Sequence, residues 1–299
     1  MQVTSTILAQ HRRGLRTVVS LGQKKAPSLW SAYVREETTT FQREIISSIS
    51  EFGYAPEVNE GTPMELNDLT SPFTMYVTPV LRGLGFAITE LAKYTDSYGK
   101  ISKAGMELMK SLTATREYNA ANLLNLGTSS PASGGTNTLD AVALFSASHP
   151  LDGASVASNT AAGALANSTF EAGVQYASTV KTHKGKPDMY GGQLLLIVPP
   201  ALEMVARRLA GADMYPGTNY NDPNPAGTRV RPVVNPYLTS TTTWFLVPAS
   251  QDYNPLTRMT SLPLSSDVGK VPSSRSLAYY VSEADAWFAS DWRFTFAGT

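Results

Sequence analysis

From Ser97 to Leu126 the apolar positions Ile101, Ala104, Leu108, Leu112, Thr115, Leu123 and Leu126 fall near one helical face, and Lys103, Lys110, Arg116 and Glu117 fall mostly off it. This spacing predicts a helix over about 97–126, opened by Asp96 as N-cap and closed by Gly127 just past its end. At about 1.5 Å per residue it would be roughly 45 Å long, enough to span the molecule. After a Ser/Gly/Asn-rich break at 127–138, helices and strands alternate. Ser168 with Glu171 has capping-box spacing for a helix from about Thr169 to Thr182, ended by Gly185 to Pro187. Leu194 to Val198 is a continuous apolar run that reads as a buried strand. It leads through Pro199 and Pro200 into a helix from Ala201 to Leu209, with Gly211 beyond it.

Other strand-like segments are Phe73 to Val77, Val80 to Ile88, Arg229 to Leu238, Trp244 to Val247 and the aromatic-rich Leu277 to Phe296. Proximity along the chain predicts that Arg229–Leu238 and Trp244–Val247 pair as a hairpin. Phe73–Val77 and Val80–Ile88 are read with the preceding segment as a long hairpin-like loop that protrudes, punctuated by Pro56, Gly61, Pro63 and Pro72. The resulting class is α+β.

Charge is segregated. The 299 residues carry 24 Lys and Arg against 24 Asp and Glu, which excludes a polycation that coats nucleic acid by bulk charge. Yet residues 1–35 hold six bases (Arg12, Arg13, Arg16, Lys24, Lys25, Arg35) and no acid. From Glu44 to Leu81 there are six acids (Glu44, Glu51, Glu57, Glu60, Glu65, Asp68) and no base. The basic end lacks an apolar period of its own and reads as an arm that needs a partner to order it. A transit peptide fits it less well, because the basic character continues past Pro27 and Trp30 to Arg35 with no cleavage boundary. Only 16% of the chain is charged against about 25% in an average soluble chain, which points to surface meant to meet protein. No run approaches the roughly 18 apolar residues of a membrane span, so no membrane partner is expected.

The residues that carry chemistry are sparse. Cysteine is absent, which removes disulfides, thiol nucleophiles and cysteine-ligated metals and suits a reducing compartment. The three histidines, His11, His149 and His183, make no metal-ligand spacing. His149 before Pro150 reads as a loop-packing imidazole, since no G-x-S-x-G elbow accompanies it. Gly83 and Gly85 start a dinucleotide-like pattern that fails at Ile88. Trp244, Phe245, Trp287, Phe288, Trp292, Phe294 and Phe296 read as strand core and not as base-stacking platforms, because few bases are interleaved with them. No catalytic, cofactor or metal site emerges, and a structural role is expected.

A set of local sequences carries a resemblance. They are Gly85-Phe-Ala-Ile-Thr-Glu90, the Asp96-Ser-Tyr-Gly99 turn, Thr115-Arg-Glu-Tyr-Asn-Ala-Ala-Asn122-Leu-Leu-Asn125 and Leu144-Phe-Ser-Ala-Ser-His149-Pro150. Then come Leu195-Leu-Ile-Val-Pro-Pro-Ala-Leu-Glu203, Pro216-Gly-Thr-Asn219, Val233-Val-Asn-Pro-Tyr-Leu238, Trp244-Phe-Leu and Asp291-Trp-Arg293. In this order the chain resembles the major head (capsid) proteins of tailed bacteriophages, particularly the phage Mu-like major head subunits, over about residues 80–299. Residues 1–79 resemble them in layout alone.

The resemblance implies a Hong-Kong-97-type capsid fold. Its parts would be an N-terminal arm (1–35), a peripheral domain (36–52 and 86–129) with the spine helix, an extended loop (53–85), an axial domain (130–250) and a return to the peripheral domain (251–299). It implies a major capsid protein without enzymatic activity or cofactor, forming hexamers and pentamers of an icosahedral head around double-stranded DNA. The head would be assembled in the host cytoplasm and located in the virion. Partners would be a portal protein, a separate scaffolding protein, since only about 35 residues precede the peripheral domain, and in some cases a decoration protein. Cross-linking through a loop lysine, as in the phage that names the fold, is not expected, because residues 44–81 contain no lysine. The inter-subunit contact expected from charge is a clasp between Arg12, Arg13, Arg16, Lys24 and Lys25 of the arm and Glu57, Glu60, Glu65 and Asp68 of the loop. The rival reading turns the arm toward DNA phosphates. A nanocompartment shell of the same fold and an α/β enzyme built on the Leu194–Leu209 unit are the alternatives.

Overall fold

The computed structural model describes residues 28–49, 51–61, 63–64, 66, 71–89, 100–136, 138–151, 155–188, 190–211, 224, 226–271 and 276–299. Along the chain run β1 (Arg35–Thr38), β2 (Glu44–Ser47), β3 (Thr74–Val77), β4 (Val80–Thr89), the long helix α1 (Lys100–Asn125), β5 (His149–Pro150), β6 (Val156–Ala157) and β7 (Thr160–Ala161). Helix α2 (Asn167–Thr179), β8 (Leu194–Val198), α3 (Glu203–Ala210), α4 (Ala226–Arg229), β9 (Val230–Val234), β10 (Trp244–Pro248), β11 (Leu256–Val271), β12 (Ser276–Ala289) and β13 (Phe296–Gly298) follow.

Two sheets organise these elements. A five-stranded sheet has the order β7-β13-β10-β8-β9, and every residue of β8 and β10 in it is buried. One of its faces presents Leu194, Leu196, Val198, Trp244 and Leu246 to a core with Phe170 and Ala177 of α2 and Ala206 and Leu209 of α3. The opposite face presents Leu195, Ile197, Phe245 and Val247 to Ala120, Leu123 and Leu124 of α1 and to Trp30 and Tyr33. Burial on both faces is why the strand reads as an unbroken apolar run and does not alternate. Gly298 lies against the Trp244 ring, where a Cβ would come within 2.2 Å of it, so the sheet closes around the indole only because residue 298 has no side chain.

The second sheet, β1-β11-β12-β4, is a long ribbon. β11 has 16 residues and β12 has 14, and their register shifts between Thr260 and Ser265. Leu108, Met109 and Leu112 of α1 pack on Val268, Tyr279 and Val281 of the ribbon. At 26 residues α1 is about 39 Å long, and its first half packs on the ribbon while its second half packs on the five-stranded sheet. The buried stripe therefore turns around the helix, taking in Ala120, Ala121 and Leu124 and leaving Leu126, just past its end, 40% exposed.

Several sequence-based expectations are corrected. β9 and β10 do not form a hairpin: β8 lies between them, parallel to β9 and antiparallel to β10. The hairpin-like reading of 44–81 has its ladder in β2 and β3, which pair antiparallel, but β4 is no part of that loop and joins β12, about 200 residues further on. Helix α2 starts at Asn167, two residues before the expected start, and the Thr169 hydroxyl accepts the Ala166 N–H, a role expected of Glu171 toward Ser168. The final strand β13 lies in the five-stranded sheet beside β10, not with the ribbon that precedes it. Among the described residues no helix is long and apolar enough to cross a membrane.

Candidate assembly interface

Elements distant in sequence are fixed to one another by buried polar contacts. Glu117 of α1 accepts the backbone N–H groups of Leu29 (2.7 Å) and Trp30 (3.1 Å), which seats the start of the described chain on the helix. Burial raises the Glu117 pKa, and the two amide bonds only partly oppose it. At the root of the ribbon Arg258, 5% exposed, donates to Asp285 (3.1 Å), Glu283 (3.1 Å) and Glu36 (3.3 Å). Arg116 of α1 is bidentate to Glu283, and Arg82 of β4 pairs with Asp285. Burial alone would lower the Arg116 pKa, but the hydrogen bonds and charge of Glu283 raise it. The Arg258 guanidinium also lies 5.0 Å from the Trp30 ring and 5.5 Å from the Trp287 ring. Three cations and three carboxylates thus tie α1, β1, β4, β11 and β12 together.

Between β2 and β3 the described residues 51–61, 63–64, 66 and 71–72 are nearly all exposed. The neck of this segment is closed by Ser48 and Phe73, whose backbones bond at 3.0 Å and whose N–H and carbonyl also engage the Ser48 hydroxyl. On the frame side Ile46, Met75 and Val77 pack on Met259, Ala286 and Phe288. Away from that packed face, from just before β2 to beyond the neck, the polarity inverts. Phe41, Ile45, Ile49, Phe52, Tyr54, Val58, Met64 and Leu66 are all exposed, Met64 by 78% and Leu66 by 93%. A monomer gains nothing by presenting such a run to water, and fully burying each side chain is worth about 1.5–3 kcal/mol. This is the chemistry of a surface completed by another molecule.

One carboxylate just past the neck is held within the chain. Glu51 accepts the backbone N–H groups of His183 and Lys184 at 3.3 Å each, and Arg293 stands 3.9 Å away. Burial would raise its pKa, but the Thr182 hydroxyl, the two amides and the Arg293 charge outweigh that and hold it below the ordinary value of 4.5. At the far end of the β2–β3 ladder lies a groove of about 430 Å³, lined by Tyr76, Val80, Asn119, Asn122, Leu126 and Phe288, among others.

Of the residues singled out for a clasp, Glu57 and Glu60 are exposed on that segment. Glu65, Asp68, Arg12, Arg13, Arg16, Lys24 and Lys25 lie outside the described residues. Charge patterning missed Glu51, because its distinction is the turn it meets 132 residues later. His149 is the packed imidazole that the sequence indicates, but it opens the short strand β5 and is not in a loop; it is fully buried, with Nδ1 2.8 Å from Asp140 and its ring stacked on Trp292 at 4.3 Å. The aromatics Trp244, Phe245, Phe288, Trp292, Phe294 and Phe296 are buried core.

A family model described as phage capsid protein matches residues 73–297. It covers the capsid family at large and does not single out the Mu-like group. No curated relative matches by sequence. Among solved structures, the capsid of cyanophage P-SCSP1u is similar with a TM-score of 0.62 at 8% identity, over 91% of this chain and 88% of that one. The virus-like particle from Pyrococcus furiosus gives 0.55 at 12% identity, over 97% and 99%. The mature capsid of bacteriophage PhiM1 gives 0.54 at 10% identity, over 92% and 87%. At these identities the likeness is one of fold, and that fold is of the Hong-Kong-97 type.

Proposed function

The chain belongs to the phage capsid protein family, and from that premise we propose that its copies close into hexamers and pentamers of an icosahedral head holding double-stranded DNA. It is a major capsid shell protein, located in the virion capsid, and its work is mechanical, not catalytic. The observation that carries this reading is the exposed apolar segment on a rigid, charge-tied frame. A patch offered to a different patch on the next copy builds rings and shells by repetition. In this reading α1 and the ribbon form the peripheral domain, and the five-stranded sheet with β13 forms the axial domain. Residues 48–73 are the extended loop, with its neck at Ser48 and Phe73. A separate scaffolding protein and a portal protein are the proposed assembly partners.

The basic arm is proposed to clasp the acidic loop of a neighbouring copy. Exposed pairs are worth about 0.2–1 kcal/mol each, and repetition over a shell makes that decisive. Reversing Glu57, Glu60, Glu65 and Asp68 to Lys is expected to block assembly, and reversing Arg12, Arg13, Arg16, Lys24 and Lys25 to Glu as well is expected to restore it in part. Normal empty shells from the arm reversal alone would assign the arm to DNA instead.

Electron microscopy of the protein expressed with its scaffold tests the whole reading. Icosahedral particles are expected, with nuclease-protected DNA once the packaging partners are present, and a small soluble oligomer under all conditions would reject it. Boiled particles are expected to run as one band near 32.2 kDa, because the loop has no lysine to cross-link. The similarity to the Pyrococcus furiosus virus-like particle, nearly complete over both chains, supports a second reading as a shell around protein cargo. Particles filled with one protein species and no nucleic acid would favour it.

A further inference from the structure

The turn after α2 is built to hold a carboxylate. The Thr182 N–H donates to the Lys186 carbonyl (2.8 Å), the Gly185 N–H to the Thr182 carbonyl (2.9 Å) and the Lys186 N–H to the Thr182 hydroxyl (3.2 Å). Gly185 has φ +76°, a left-handed conformation that a side chain would strain. Closing the turn this way leaves the successive N–H groups of His183 and Lys184 for an outside acceptor, an arrangement that favours an anion. Arg293 adds a cation, itself oriented by Asp291 (2.8 Å) and by the Lys181 carbonyl (3.3 Å). The acceptor present is Glu51, three residues beyond the loop neck. Phe73 on the other side of the neck meets the His183 ring edge-on at 5.4 Å, and the Lys186 ammonium lies 5.7 Å from the Tyr54 ring.

We propose that Thr182–Gly185 with Arg293 is a carboxylate-binding site occupied in cis by Glu51, and that this latch sets the direction in which the apolar loop leaves the subunit. The two-residue ladder bond at Ser48 and Phe73 fixes where the loop starts but not its angle to the five-stranded sheet, and the contacts of Glu51, Phe73 and Tyr54 with one turn supply that angle. The site binds its anion through two backbone donors, the Thr182 hydroxyl and one guanidinium, all near the surface. It can therefore open without disturbing either core, so the loop can be re-aimed while the subunit stays folded. The consequence for assembly rests on the capsid reading: copies in five-fold and six-fold surroundings need different loop angles. The contact itself does not rest on it.

The chain has no cysteine, so two can be introduced for spin labels, Ala55→Cys in the loop and Gln175→Cys on α2, in the full-length unassembled protein. With Glu51 present a single narrow distance distribution is expected. In Glu51→Ala it is expected to broaden, while thermal melting stays cooperative and the His183 and Lys184 amides exchange roughly tenfold faster. An unchanged distribution with unchanged exchange overturns the proposal. If Glu51→Ala does not fold, Glu51→Gln keeps the volume and one carbonyl acceptor. One of the two amides is then expected to lose protection, and retention of both at the wild-type level overturns the latch. Because these readouts need no shell, their failure leaves the capsid reading standing. In assembly, Glu51→Ala is expected to give particles of mixed size where the parent gives one.

Discussion

The two sheets solve the problem of stability in opposite ways. In the five-stranded sheet β8 and β10 bury every residue between helices on one side and α1 on the other. The ribbon buries Leu256 to Met259 at its root, and from Thr260 onward β11 is half-buried or exposed at nearly every position. At about 3.3 Å per residue its 16-residue strand extends some 50 Å, too far for one helix to cover. At that same buried root the ribbon is also held by Arg82, Arg116 and Arg258 against Glu36, Glu283 and Asp285. One unit buries its central strands within the chain, and the other leaves Leu81, Leu84, Leu262 and Tyr280 exposed.

Removing a member of the charge cluster is the most severe way to break this contrast. Arg258→Ala leaves Glu283 and Asp285, each no more than 1% exposed, without their shared cation, and a loss of about 3–5 kcal/mol is expected in urea melts. Replacing Arg82, Arg116 and Arg258 by Met together with Glu283→Gln and Asp285→Asn is expected to recover part of that loss, because it removes the paired buried charges together. Recovery would show that the cluster specifies the joint more than it stabilises it. On the other side, Leu196→Ala opens a hole in a dry core and should cost about 3 kcal/mol by the same measurement. A cost below about 1 kcal/mol would mean that the sheet collapses around the hole and is less tightly packed than its burial implies.

This contrast also decides what the sequence reveals. The unbroken run Leu194–Val198 and the 3.6-residue period of α1 are local signals, and both elements lie where those signals put them. Pairing is not local. β9 and β10 are ten residues apart and flank a strand that precedes both, and β4 finds its partner in β12, with four of the five strands of the other sheet between them in sequence. Nothing near Arg82 or Arg116 in the sequence indicates that Asp285 and Glu283 will meet them, so the cluster is legible only once the ribbon is folded. The acids and prolines between β2 and β3 mark a segment in which no regular element is found among the described residues. That Phe52, Tyr54, Met64 and Leu66 stand exposed was not legible, because exposure cannot be read from residue type.

Acid separates the two kinds of attachment with a smaller effect. Glu117 has a raised folded pKa, so the stability linked to its protonation is present below the ordinary value of 4.5 and is lost as pH rises through the folded value. Glu51 has a lowered one, so its contribution is full above 4.5 and is lost as pH falls through the lower folded value. Asp140, held down by hydrogen bonds from His149 and Thr138 that outweigh burial, behaves like Glu51 relative to its ordinary 3.8. On acidification Glu117 should take its proton first. Protection of the His183 and Lys184 amides should persist until the pH is below 4.5 and then fall, while the five-stranded core remains protected. Loss of that protection above pH 5 would contradict the sign.

The smallest effect on folding should accompany the largest effect on assembly. Met64 and Leu66 are 78% and 93% exposed, so replacing both by Ser removes almost no burial from the isolated chain. Its unfolding free energy should change by less than about 0.5 kcal/mol, as for other surface positions without partners. If these side chains complete a neighbour's surface, each is a buried anchor in the shell, where truncation commonly costs more than about 1 kcal/mol per contact. Every subunit repeats that loss, so the double variant should stay a folded monomer or small oligomer by sedimentation under conditions where the parent forms particles. The reciprocal change, Leu196→Ala, should lower the melting temperature of monomer and particle alike while leaving assembly competence intact below it. If the loop variant instead assembled normally, the exposed apolar run would not be the contact surface. The division between a sheet buried within the chain and a loop completed by neighbours would then have to be redrawn around the groove at Asn119 and Asn122.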